Sequence, residues 1–271
     1  MSGLVIIRGG GDLASGVALR LFHSGYKIII YELPEPLTVR RTVSFSETVF
    51  EGEWLVEDVI SKLAKSVDEV REIINNDQIC VIVDPDGSTM LDLQPEAIID
   101  ARMRKTPIID GIRNSHFLIG IGPGFTAGKN CDAVIESNRG HFLGRVIWEG
   151  SAQADTGIPG SVHGIGKERV LYAPCRGNFT GEMIIGEIVK QGQKIGVVNE
   201  TPIFAPFDGL LRGLIHSGLF VSKGLKIGDV DPRQDISLCK FVSEKALAIG
   251  GGVLEALLAK DYQKTLYDYE K

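Results

Sequence analysis

Near its start the chain reads Leu4-Val-Ile-Ile-Arg-Gly-Gly-Gly-Asp-Leu-Ala-Ser-Gly16, a stretch on which the rest of the fold depends. Its apolar beginning, Leu4–Ile7, is short enough for a buried parallel strand, and a glycine cluster follows at once. After the cluster, apolar side chains recur at every fourth position, at Leu13, Val17 and Leu21. This spacing predicts a helix with one apolar stripe.

A second strand is predicted directly after that helix. Gly25 ends the helix, and Lys27–Tyr31 is again apolar and β-branched, with Glu32 at its carboxyl end. The chain therefore begins with a β-α-β unit whose first turn is rich in glycine.

The glycine cluster fits the pattern G-x-G-x-x-G/A, which is typical of dinucleotide binding. The first glycine makes a tight turn, the second lets backbone approach a phosphate, and the small third residue packs closely on the strand. Glu32 lies where an acid can bind a ribose hydroxyl. We therefore expect a nucleotide-type ligand here, with a turn that serves packing alone as the alternative. The expected contacts are Gly9, Gly10, Gly11, Asp12, which is also placed to cap the helix, Ala14 and Glu32.

Composition sets limits on function. The chain has 271 residues, of which 44% are hydrophobic and 24% charged, as in an ordinary globular protein of two domains. A net charge of −6 argues against nucleic acid as a partner. We expect a cytoplasmic protein, because we find neither a leader nor a membrane-spanning stretch. The four cysteines and five histidines show no ligand spacing, so we predict no metal site.

Two adjacent arginines follow the second predicted strand. Arg40 and Arg41 lie among hydroxyl residues in Val39-Arg-Arg-Thr-Val-Ser-Phe-Ser-Glu47. We expect them to clamp a phosphate or another anion at the carboxyl edge of the sheet. The alternative is a pair of solvated arginines with no ligand.

Further strands and helices are predicted downstream. Glu57–Leu63 and Pro95–Met103 are interpreted as helices, and Pro107–Ile109 and Phe117–Ile121 as strands. The last of these runs into a second glycine-rich loop, Gly122-Pro-Gly-Phe-Thr-Ala-Gly128. Two such loops would form two walls of one crevice, so Gly122 and Gly124 are expected ligand contacts.

Three motifs together resemble the YqeB family: the glycine loop, the block that ends at Glu47, and the loop Ile121-Gly-Pro-Gly-Phe-Thr-Ala-Gly128. These proteins are associated with selenium-dependent molybdenum hydroxylases and are related in theme to the XdhC/CoxF maturation factors. The resemblance implies an accessory factor that prepares or delivers a nucleotide- or pterin-type cofactor. It implies the hydroxylase and its maturation machinery as partners, and it identifies no catalytic residue. Self-association is left open.

An internal repeat follows a predicted linker at Ser151–Gly166. Ala173-Pro-x-x-Gly177 returns as Ala205-Pro-x-x-Gly209, and Gly192 returns as Gly224, all at an offset of 32 residues. The repeat resembles the biotinyl/lipoyl hammerhead, in which a lysine at a hairpin tip carries the prosthetic group. The corresponding tips here contain no lysine, so we expect no covalent biotin or lipoate.

We therefore predict an α/β protein with two domains. Residues 1–166 would form a Rossmann-like parallel sheet, completed by a C-terminal helix within 235–271. Residues 167–234 would form a small all-β barrel-sandwich hybrid of hammerhead type, made of the two repeats. An NAD(P)-dependent oxidoreductase is the alternative function, although no residue presents itself as the acid or base that a dehydrogenase needs.

Overall fold

A computed structural model describes residues 3–105, 116–155, 157 and 164–269 of the chain. The predicted strand Pro107–Ile109 lies outside these residues, as does part of the predicted linker, residues 158–163.

The described residues of the first part of the chain build a nine-stranded sheet. Its strand order is β10-β9-β7-β6-β1-β2-β5-β4-β3, while β8 and β11 form a separate pair. In chain order the strands are β1 (Leu4–Arg8), β2 (Lys27–Glu32), β3 (Glu53–Val56), β4 (Val59–Ala64), β5 (Ile79–Val83), β6 (Ala97–Asp100), β7 (Phe117–Ile121), β8 (Thr126–Ala127), β9 (Ala133–Ile135), β10 (Val146–Ile147) and β11 (Gly150–Ser151).

The sheet is mixed, so the predicted Rossmann-like parallel sheet is wrong. The strands from β4 across to β9 pair in parallel, but β3 pairs antiparallel with β4 and β10 antiparallel with β9. The reason at one edge is a two-residue connection, Glu57-Asp58, in which Glu57 adopts a φ of 56°. So short a connection can join only antiparallel strands. The helix predicted at Glu57–Leu63 is therefore replaced by the strand β4, and the helix predicted at Pro95–Met103 is also wrong, because β6 lies within it.

Helices cover both faces of this sheet. The α-helices within the described residues are α1 (Asp12–His23), α2 (Thr48–Glu51), α3 (Val67–Asn75), α4 (Met90–Leu93) and α5 (Glu244–Tyr269). Side chains alternate along each strand, so Val5 and Ile7 pack with α1 and α5 on one face. Ile6 packs with Val70 and Ile73 of α3 on the other. No helix among the described residues is both long and apolar enough to cross a membrane.

Glycines let α1 and α5 approach each other closely. A Cβ on Gly16 would lie 2.5 Å from the Cβ of Ala246, and one on Gly250 would lie 2.9 Å from the carbonyl oxygen of Gly16. The Gly250-Gly251-Gly252 run does not interrupt α5, which is continuous through it. The packing of α5 on the first part of the chain explains why this helix tolerates glycines.

The repeat region forms two four-stranded antiparallel sheets, with orders β12-β19-β17-β14 and β16-β15-β13-β18. Each sheet takes strands from both repeats: β18 completes the sheet of β13, β15 and β16, while β12 and β14 flank β19 and β17. The strands are β12 (Val170–Tyr172), β13 (Gly177–Gly181), β14 (Ile188–Val189), β15 (Lys194–Val198), β16 (Thr201–Phe204), β17 (Gly209–Leu214), β18 (Phe220–Val221) and β19 (Lys226–Asp231).

The fold class predicted from the sequence is thus corrected to a mixed sheet with helices plus antiparallel sheets, and the hammerhead assignment is not supported. The repeat indicates where turns and strands recur, because glycines are needed at the same positions of each copy. It does not determine which strands pair. The division at residues 166 and 234 stays a prediction.

Candidate functional site

A cleft of about 1080 Å³ opens at the carboxyl ends of β1, β2, β5 and β6. We call it the basic cleft, after the cations that line it: Arg8, Arg40, Arg102, Arg104 and Lys226. Lys226 comes from the start of β19, so the cleft has walls from both parts of the chain. Its size suits a ligand as large as a dinucleotide.

The topology of the sheet explains why a cleft forms here. The chain passes from β1 to β2 on one side of β1 and later returns to β6 on its other side. The connections leaving β1 and β6 therefore diverge, and a crevice is left beyond the carboxyl ends of these strands. Arg8 ends β1 and Asp100 ends β6, at the same level of the sheet.

Asp100 organises the cations at this position. Its side chain is almost fully buried, and its Oδ2 lies 3.8 Å from Nη1 of Arg8. Arg102 Nε donates to Oδ1 at 3.0 Å, and its Nη2 makes a further short contact with Oδ2. One buried carboxylate therefore holds two guanidinium groups at the floor of the cleft.

The glycine loop is fixed by Glu32. Gly10 N donates to Oε1 of Glu32 at 2.6 Å, and Leu33 N donates to Oε2 at 2.7 Å. Gly9 has a φ of 93°, a conformation that glycine adopts without strain. Both oxygens of Glu32 are thus used by backbone N–H groups, which leaves this carboxylate less suited to the ribose contact expected from the sequence.

Glu32 should make stability depend on pH. Burial raises the pKa of Glu32 above its ordinary value of 4.5, against the opposing effect of the Gly10 and Leu33 hydrogen bonds. The contribution of this group to stability is then complete below the ordinary pKa and is lost as the pH rises through the folded-state value. We expect wild type to lose stability relative to Glu32→Gln over that interval. Urea unfolding of both proteins at several pH values measures this, and a difference that does not vary with pH would contradict it.

The block that ends at Glu47 lies against the glycine loop. Ser46 N donates to the carbonyl oxygen of Gly10 at 2.9 Å, and Phe45 N donates to Oγ of Ser15 at 2.8 Å. Ala14 beside them is 1% exposed, as its expected packing role requires. The conformation of the loop therefore depends on this block.

Arg40 and Asp12 meet at the cleft. Nη1 of Arg40 lies 3.5 Å from Oδ2 of Asp12, and its Nη2 donates to the carbonyl oxygens of Leu238 and Phe241 at 2.9 and 3.3 Å. Asp12 is the first residue of α1, whereas Gly11 holds the capping position, so the predicted cap is wrong. Both Gly11 and Asp12 line the basic cleft.

The other expected contacts lie elsewhere. Arg41 donates to the carbonyl oxygen of Leu214 at 3.0 Å and to Oε1 of Glu47 at 2.7 Å, and it is not among the residues lining the basic cleft. Pro123, between Gly122 and Gly124, lines a smaller cavity of about 240 Å³. Met103 lines both cavities, so the two are neighbours.

The sequence motifs do not identify several residues of the site: Arg8, Asp100, Arg102, Arg104 and Lys226. Position along the chain is the signal for Arg8, Asp100 and Arg102, since polar residues at the ends of buried parallel strands gather at one sheet edge. Lys226 carries no such signal, because it lies at the start of β19. Asp84, directly after β5, serves a turn, because its carboxylate accepts hydrogen bonds from the backbone N–H groups of Gly87, Ser88 and Thr89.

Comparison with known proteins links the chain to one relative in particular. No model of a known protein family matches it. Solved structures that cover most of the chain show only weak likeness to it. An aspartoacylase family protein from Mesorhizobium loti is 14% identical with a TM-score of 0.26, covering 85% of each chain. The ectoine utilization protein EutE (DoeB) from Ruegeria pomeroyi is 11% identical with a TM-score of 0.24, covering 84% of this chain and 86% of that one. At these TM-scores the likeness carries no argument, and it brings no support for a biotinyl/lipoyl hammerhead.

The sequence relative is much closer. The uncharacterized protein YqeB of Escherichia coli K12 is 46% identical over 260 residues, which are 96% of this chain and 48% of YqeB. The chain therefore spans about half the length of this curated relative. The resemblance to the YqeB family is confirmed, and the chain is a homologue of about half of YqeB.

Proposed function

We propose that the chain is an accessory factor for a selenium-dependent molybdenum hydroxylase and binds a nucleotide- or pterin-type cofactor in the basic cleft. The observation that carries the proposal is the arrangement of Arg8, Asp100 and Arg102 at the point where the strand order reverses. The hydroxylase and its maturation machinery are the proposed partners, and the cytoplasm is the proposed location.

The contacts within the basic cleft support an anionic ligand. Among the described residues, five cations and four carboxylates line it, and two of these carboxylates, Glu32 and Asp84, are already engaged by backbone N–H groups. The cations Arg102 and Arg104 approach from the main sheet and Lys226 approaches from β19. A phosphate between them would receive charge-assisted hydrogen bonds from both parts of the chain.

The glycine loop supports a ligand that approaches closely. Gly11 lines the cleft at the start of α1, where the first N–H groups of a helix have no partner within the helix. An anion beside this helix end is also favoured by the helix dipole. The oxidoreductase alternative loses support, because the carboxylate of Glu32 is bonded to Gly10 and Leu33 rather than presented to a ribose.

The ligand itself can be identified by native mass spectrometry of protein taken directly from cells. We expect a retained mass that corresponds to a nucleotide, dinucleotide or pterin dinucleotide. We also expect no covalent adduct of biotin or lipoate mass within residues 167–234. Repeated isolation of the protein from cells without any such ligand would contradict the proposed cofactor binding.

Arg102 offers a direct test of the basic cleft. ATP, NAD and NADP serve as phosphate-bearing probes in calorimetry. Arg102→Gln should bind the tightest of these probes roughly 10–100-fold more weakly than wild type does, which is the range for a charge-assisted hydrogen bond. Arg71→Gln is the matched control, since Arg71 is an exposed arginine paired with Asp68 on α3. Thermal melting curves of Arg102→Gln and wild type check that the variant is still folded, with Asp100 paired with Arg8. Equal weakening by both variants, or none by Arg102→Gln, would refute this position for the anion.

The accessory role requires a cellular measurement. Cells that lack the chain should lose molybdenum hydroxylase activity while still making the hydroxylase polypeptide, and wild type should restore the activity. Arg102→Gln should restore it poorly and Arg71→Gln fully. Undiminished hydroxylase activity in cells that lack the chain would overturn the role.

A further inference from the structure

A second group of side chains lies between the two parts of the chain, away from the basic cleft. A carboxylate oxygen from Glu47, one from Glu51 and a ring nitrogen of His216 all lie within 4.8 Å of one another. We call these three residues the Glu–Glu–His cluster. None of them lines the basic cleft, and neither the sequence motifs nor the proposed cofactor binding accounts for their meeting.

The two acids come from one short helical segment. Glu47 ends the 3-10 helix Phe45–Glu47, and Glu51 ends α2, which follows without a break. Residues four apart on such a segment lie on the same face, one turn above the other. His216 follows β17 in the repeat region and reaches this face from the opposite side. The cluster therefore joins the main-sheet part to the repeat part.

The ring of His216 is held in one orientation. It stacks on Phe50 with ring centroids 4.2 Å apart and an interplanar angle of 15°. Its Nδ1 lies 3.0 Å from the carbonyl oxygen of Ser217. A carbonyl oxygen can only accept, so Nδ1 carries the proton and the lone pair is left on Nε2. This is the arrangement in which a backbone carbonyl orients a metal-binding histidine.

Glu47 supplies a buried negative charge. The residue is only 1% exposed, and its Oε1 accepts from Nη1 of Arg41 at 2.7 Å. A buried carboxylate is stabilised by a nearby cation. Arg41 provides only part of this stabilisation, because Glu51 adds a second negative charge at the same place.

We propose that the Glu–Glu–His cluster binds a divalent first-row transition metal, with Zn²⁺ as the best fit. One imidazole nitrogen and two carboxylate oxygens suit zinc, whereas Mg²⁺ and Ca²⁺ prefer oxygen ligands alone. Zinc bonds of about 2.0–2.1 Å in a tetrahedral site place ligand atoms about 3.4 Å apart. The exposed side chain of Glu51 can make the small movement required. A water would complete four ligands, and the ion would tie the two parts of the chain together.

The test uses the full chain without a histidine tag, freed of metal with a chelator. Calorimetric titration with Zn²⁺ should show one ion bound per chain, and Mg²⁺ should not compete. Glu51→Gln should weaken zinc binding by at least about tenfold, since even the loss of a supporting partner costs roughly 10–100-fold. Because Glu51 is exposed, this variant should fold normally. His216→Ala should abolish stoichiometric binding.

Glu53→Gln is the matched control. Glu53 is exposed, lies two residues from Glu51 and pairs with Lys62 rather than with the cluster. The control removes the same charge, so its zinc affinity should equal that of wild type. Zinc should also raise the melting temperature of wild type and Glu53→Gln but not of His216→Ala. The proposal is overturned by less than one ion per chain, by equal affinities of Glu51→Gln and Glu53→Gln, or by wild-type binding in His216→Ala.

Discussion

Replacing Asp229 with alanine is expected to lower the free energy of unfolding by about 3–5 kcal/mol, the range for removing one partner of a buried ion pair. Asp229 lies on β19 with no exposed surface. Its Oδ1 accepts from Nη1 of Arg169 at 2.6 Å, and its Oδ2 accepts from Nε of Arg212 at 2.8 Å. The alanine variant leaves two nearly buried guanidinium groups without this carboxylate.

The size of the effect depends on how far Asp231 can compensate. Nη1 of Arg212 also lies 3.0 Å from Oδ2 of Asp231, so Arg212 retains one partner after the substitution. Asp231 is in turn bonded to Arg233, which donates to its Oδ2 at 2.7 Å. We therefore expect Asp231 to compensate for part of the loss at Arg212.

Asp208 provides the control for this prediction. It forms an ion pair of 2.9 Å with Lys190, but both side chains are largely exposed. Asp208→Ala should change stability far less than Asp229→Ala does, as is usual for surface pairs. Urea unfolding of the two variants and wild type gives the comparison. Similar losses for Asp229→Ala and Asp208→Ala would show that the β19 network is not a buried electrostatic centre.

Local patterns predicted the first β-α-β unit well, because the strand, turn and helix are each determined by neighbouring residues. The apolar runs of β1 and β2, and the apolar residue at every fourth position of α1, are sufficient to predict this unit. The edge of the sheet is different. The Glu57-Asp58 connection contains none of the glycine or asparagine that usually signals a tight hairpin. The sequence therefore did not predict the reversal of chain direction between β3 and β4. For the same reason it did not predict that the sheet is mixed.

The candidate site was predicted only where its residues are close in sequence. The glycine loop was found because one motif contains it, whereas Arg8 and Asp100 are brought together by the pairing of β1 with β6. Sequence also could not separate Arg40 from Arg41. Their side chains point to different partners, Asp12 in one case and Glu47 in the other. Adjacent residues diverge in this way when a segment passes between two packed parts of a chain.

Alanine substitutions at two neighbouring glycines of α5 are expected to change the stability of the protein in opposite directions. A Cβ on Gly252 would overlap the carbonyl oxygen of Gly144 and lie 3.1 Å from Cγ2 of Ile135. Gly252→Ala should therefore destabilise the protein by about 1–3 kcal/mol, as overpacking of a core usually does. Backbone atoms supply the clash, so a change of side-chain rotamer cannot relieve it.

Gly251, one residue earlier in the same helix, is the matched control. A Cβ there would meet no atom within 4 Å. Gly251→Ala should stabilise the protein by about 0.5–1 kcal/mol, because alanine loses less backbone entropy than glycine when a helix forms. Both variants have the same helix propensity, so the difference between their unfolding free energies isolates the contact with Gly144. If both substitutions stabilise the protein, α5 does not pack as closely on the Gly144 loop as the structure has it.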